Sequence, residues 1–121
     1  MVTYLTIQLN SALEKEEAEI AVDILGDTWE DRYGSIPPKH MPEVKTDVLL
    51  VPDNKIVAGA LIGCFEDEID MADHNLYSYR HSISPSGNAK ALTDQITRLS
   101  ARKSVNQKFV KAIQSKLGGK K

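Results

Sequence analysis

A single cysteine, Cys64, excludes any disulfide within the chain, and nothing in its use calls for an oxidising compartment. No apolar run approaches the roughly 18 residues that a membrane span needs. The first residues, Met-Val-Thr-Tyr-Leu-Thr-Ile-Gln-Leu, hold neither a basic start nor a long apolar stretch, so they do not read as a signal peptide. The expected location is therefore the cytoplasm, with no membrane partner. Internal repeats and low-complexity tracts are absent. At 41% hydrophobic and 26% charged residues, global disorder is excluded too. A length of 121 residues suits one domain, and a chain of that size buries roughly two-thirds of its extended surface.

Charge is present in both signs, but it is sorted. Residues 1–76 carry 16 Asp and Glu against 5 Lys and Arg, a balance of −11. Residues 77–121 carry 10 Lys and Arg against Asp94 alone, a balance of +9. Such segregation points to an anionic partner for the basic end, either nucleic acid or an acidic protein surface. The other reading is internal: the basic helices pack against the acidic body of the same chain, or of a second copy in a homodimer.

Residues 2–9 alternate β-forming side chains and predict a strand. Ser11 followed by Glu14 fits a capping box, and Glu14, Glu16, Glu17 and Glu19 suit the start of a helix. Leu13, Ile20, Ile24 and Trp29 mark its buried stripe, with a break or bend expected at Gly26 and a short helical piece over residues 28–33. Three prolines, Pro37, Pro38 and Pro42, make residues 34–42 a loop. The apolar runs 47–51 and 55–65 flank Pro52, Asp53 and Asn54, which predicts a β-hairpin. Gly59 and Gly63 would then share one face of a strand. The acidic stretch 66–73 reads as a loop or short ribbon and residues 76–83 as a further strand. Leu92, Ile96 and Leu99 mark one helix. Ser104 with Gln107 opens another, marked by Phe109, Val110, Ile113 and Leu117, and Gly118 and Gly119 end it.

The expected fold is α+β: a mainly antiparallel sheet of three to four strands, an N-terminal helix and two C-terminal helices, in the order β-α-β-β-β-α-α. Residues 1–119 form the single domain, with an acidic body over 1–76, a basic helical part over 77–119, and Lys120 and Lys121 as a frayed tail.

That order, and the stretch Val-Leu-Leu-Val-Pro-Asp-Asn-Lys-Ile-Val-Ala-Gly-Ala-Leu-Ile at residues 48–62, resembles the front of the GNAT superfamily of acyl-CoA-dependent N-acyltransferases. The stretch looks like that family's second and third strands. In the family a fourth strand feeds a Gln/Arg-x-x-Gly-x-Gly/Ala loop that opens a helix. Ser84, Ser86, Gly87, Asn88, Ala89 and Lys90 stand in that place here. The resemblance implies an acyl-CoA cofactor whose pyrophosphate is cradled by those residues, through bare N–H groups and a positive helix end. It also implies Glu66 or Glu68 as the base acting through water, and Tyr77 or Tyr79 as the acid protonating the thiolate. Ser84 departs from the family's basic or amide residue, and no strand is evident after residue 90, so the resemblance covers residues 1–101.

The alternative function is non-enzymatic: a regulatory or inhibitory protein that grips nucleic acid or a protein through Arg98, Arg102, Lys103, Lys108, Lys111 and Lys116. Phosphate neutralisation by such a set would be salt-sensitive and tolerant of sequence. No aromatic stacking set and no zinc framework accompanies it. The β-β-β-α segment also resembles double-stranded-RNA-binding domains, but Lys90 alone stands where their lysine cluster would be. Glu66, Asp67, Glu68, Asp70, Asp73 and His74 read as a solvated acidic face rather than a metal site, since no calcium-loop glycine pattern accompanies them. Cys64 reads as a small core residue. His40, His74 and His81 are scattered, with no nucleophile motif around them.

Overall fold

The first element is β1 (Tyr4–Gln8), where Leu5 and Ile7 are buried while Thr6 and Gln8 face solvent, as period-2 alternation requires. The computed structural model describes residues 3–34, 36, 38–80 and 89–118. Helix α1 (Ala12–Tyr33) follows, then β2 (Glu43–Lys45), β3 (Val48–Pro52), α2 (Lys55–Arg80) and α3 (Ala89–Gly118). The three strands form one antiparallel sheet with β3 in the centre. The fold is thus α+β, with a three-stranded antiparallel sheet, an N-terminal helix and two helices after the sheet.

Helix α1 starts where the sequence places it. Ser11 Oγ accepts from the Glu14 N–H at 3.1 Å, and Glu14 Oε1 accepts in return from the Asn10 N–H at 2.9 Å. Gly26 does not break it; the helix runs on through the expected second piece to Tyr33. It ends at Gly34, whose left-handed φ of 66° lets its N–H reach the Glu30 carbonyl at 2.7 Å. Its fully buried line is Ala18, Ala21, Leu25 and Trp29, and Ile20 and Ile24 are only half-buried flanks.

The short strand β2 lies just past the expected proline loop of residues 34–42, in a stretch to which the sequence reading assigns no element. A two-residue turn joins Lys45 to Val48, and Thr46 holds a positive φ of 43° there. The hairpin expected around residues 52–54 is instead a strand followed by a helix. Asn54 is the N-cap of α2: its Oδ1 accepts from the Ile56 N–H at 2.8 Å and the Val57 N–H at 3.3 Å. The run 55–65 is helical because its buried members, Val57, Leu61, Cys64 and Phe65 among them, recur at 3.6-residue spacing, leaving Ile56, Gly59 and Glu66 outside. The acidic stretch 66–73 and residues 76–80 of the expected fourth strand continue the same helix. Gly59 and Gly63 share a helix face, where an added Cβ would meet nothing within 4 Å.

Helix α3 is continuous through Ser104, so the second capping box is not a helix start; Ser104 is exposed mid-helix. The core lies between the inner sheet face (Leu5, Ile7, Leu49, Val51) and the helices. Phe65 of α2 stacks on Phe109 of α3 with centroids 4.9 Å apart, and Ile113 is fully buried beside them.

Candidate functional site

Helices α2 and α3 form a long antiparallel pair, and α1 lies across them. The contact between α1 and α3 is polar along one line. Glu14 and Glu17, three residues apart and so on one helix face, meet Lys108, Asn106 and Arg102. Lys108 Nζ lies 2.8 Å from Glu14 Oε2. Arg102 Nε donates to Glu17 Oε2 at 3.2 Å, and Asn106 Nδ2 donates to Glu17 Oε1 at 3.0 Å. The Glu17 side chain is 1% exposed, so these two donors are what make its charge tolerable there. On the α2 side, Arg102 Nη2 stands 3.6 Å from Glu68, and Lys103 pairs with Asp73.

The electrostatics follow from this seating. Lys108, and then the Asn10 N–H, hold the Glu14 carboxyl below its ordinary value against the opposing effect of burial. Burial pushes the Cys64 thiol up, so it is a core residue rather than a nucleophile. Trp29 packs against Tyr33 with centroids 4.4 Å apart and serves the core.

The residues singled out for acid–base chemistry all lie on α2. Glu66 and Tyr77 are exposed, Glu68 and Tyr79 half-buried. Glu66 and Glu68 sit on opposite sides of the helix, and each stands about 16 Å along the axis from the tyrosine on its own side. The helix does not bring a carboxylate and a phenol of this set together. Ser84, Ser86, Gly87 and Asn88 lie outside the described residues, as does His81, while Ala89 and Lys90 open α3. Of the basic set, Arg102, Lys103 and Lys108 are drawn inward to carboxylates, while Arg98, Lys111 and Lys116 are exposed.

Two residues of this polar cluster were not expected as site residues: Asn106, and Glu17, which the sequence reading takes only as a helix-start acid. The signal for Glu17 was its place among Ala18, Ala21 and Leu25, the small and apolar positions that form the buried line of α1. Among the described residues no group of three His, Cys, Asp or Glu side chains is arranged to hold a metal ion. No helix there is long and apolar enough to cross a membrane. An open groove of about 350 Å³ runs between α1 and β2, lined by Lys15, Glu19, Asp23, Glu43 and Thr46. The chain matches no family model, no curated protein and no solved structure.

Proposed function

We propose that this chain is a non-enzymatic binding protein, regulatory or inhibitory in role, whose partner is another protein. What supports this most is where α3 spends its positive charge: Arg102, Lys103 and Lys108 are paired with Glu17, Glu68, Asp73 and Glu14 of the same chain. Among the α3 cations whose side chains are described, the exposed remainder, Arg98, Lys111 and Lys116, is strung out by about 20 Å and about 8 Å along the axis, with Lys111 turned away from the side the other two share. That is a poor track for a phosphate backbone. The charge facing outward on α1 has the opposite sign. Glu16, Glu19, Asp23, Asp27, Glu30 and Asp31 are all exposed and, at about 100° per residue, fall on one stripe of the helix. Such a stripe repels nucleic acid and steers a basic protein surface toward it.

The test is affinity purification of the tagged full chain from its own cells, beside a variant carrying Glu19→Lys, Asp23→Lys and Asp27→Lys. A protein that elutes with salt and is lost from the variant is the expected result. Binding of labelled DNA or RNA by the purified chain at low salt overturns the proposal. Acyl-CoA binding by residues 84–90 is the competing reading. A melting temperature raised by millimolar coenzyme A would replace our proposal with it.

A further inference from the structure

Where α1, α2 and α3 meet, Glu17, Glu68, Asn75, Leu99, Arg102 and Asn106 are among the residues lining a cavity of about 30 Å³, with Met71 exposed at its edge. One water needs roughly 10–15 Å³, so the space admits one water or two and no organic ligand. Its wall is polar and incompletely paired. The Asn106 amide is fixed in orientation, because its Nδ2 donates both to Glu17 Oε1 at 3.0 Å and to the Arg102 carbonyl at 2.8 Å. Its Oδ1 is buried and has no protein partner, on a residue only 1% exposed. Nearby, Arg102 Nη2 and Glu68 Oε2 are 3.6 Å apart, beyond direct hydrogen-bond reach.

The lining carries two carboxylates against one guanidinium, and the orphan group is an acceptor. A guest that satisfies Asn106 Oδ1 offers it a hydrogen-bond donor or a positive charge. We infer that the cavity is a built site for one ordered water, which donates to Asn106 Oδ1 and the Glu68 carboxylate and accepts from Arg102. Water then completes the node that joins all three helices.

A water fits both polarities of the wall, donating to Asn106 Oδ1 and accepting from Arg102, which a bare monovalent cation cannot do. Two measurements on the full chain decide it. A high-resolution crystal structure should show one density peak within hydrogen-bond distance of Asn106 Oδ1. In solution, the Asn106 side-chain amide protons should give water cross-peaks with the sign of a long-lived contact. Crystals grown in rubidium chloride separate the two guests: an anomalous peak at that position makes it a cation site and overturns the inference. Absence of both the density and the cross-peaks overturns it as well.

Discussion

Glu17 carries its charge to a place that water scarcely reaches, and Arg102 and Asn106 are what hold it there. Arg102→Ala removes the counter-charge while leaving the carboxylate buried, and should cost about 3 kcal/mol of unfolding free energy, as for other broken buried pairs. Arg98→Ala, a few residues away on the exposed side, should change stability little, and urea melts of the two variants check the contrast. Glu14 makes a pH-dependent contribution whose sign follows from its lowered pKa. Folding favours its charged form, so its share of stability is present above the ordinary value of 4.5 and is lost as pH falls through the folded value. Glu14→Gln should therefore be less stable than the parent at neutral pH. The gap should close as the solution is acidified below that value. A gap that stays constant with pH would mean the Lys108 contact contributes through packing rather than charge.

At the scale of elements, the sequence was legible where a local signal had only one reading. Ser11 and Glu14 cap α1 as expected, β1 lies on the expected alternating run and β3 on the expected apolar one, and Phe109, Val110 and Ile113 are the buried stripe of α3. It misled where one signal serves two structures. A dense apolar run such as 55–65 fits a buried strand or a buried helix, and periodicity alone does not separate them. Asn54 is at home in a turn or at an N-cap, and Ser104 with Gln107 fits a cap but also sits well on an exposed helix side. In the fold, residues 55–65 are helical and bury Val57, Leu61 and Phe65 in the core shared with the sheet. The site was less legible still, since Glu17 and Asn106 lie 89 positions apart and nothing local announces their meeting. One consequence is measurable. Gly59 and Gly63 hold helical backbone with open space where a side chain would go, so Gly59→Ala and Gly63→Ala should each raise stability by about 0.5–1 kcal/mol. Thermal melts of the single variants test this, and a loss of stability would show that the face is covered in solution.

For the whole molecule, part of the sorted charge of the sequence is spent internally: Arg102, Lys103 and Lys108 seat the basic helix on the acidic body by ion pairs. Helix α3 also supplies Phe109, Val110 and Ile113 to the one core. A chain cut after Ala101 should therefore lose cooperative unfolding altogether, as judged by denaturant melts and amide exchange. A truncated chain that still melts in one sharp transition would make residues 102–121 an appendage. The same seating has a bearing on how the protein comes to exist. A ribosome delivers α3 after the acidic body, and until Phe109 emerges Phe65 has nothing to stack on. The nascent body then bears its full unneutralised negative charge, with Glu14 and Glu17 unmatched. Mutual repulsion between neighbouring nascent chains would hold them apart during the interval when their apolar surface is least covered. Arrival of the basic segment brings the balance from −11 to −2 and so weakens that repulsion, just as Phe109 comes to cover Phe65.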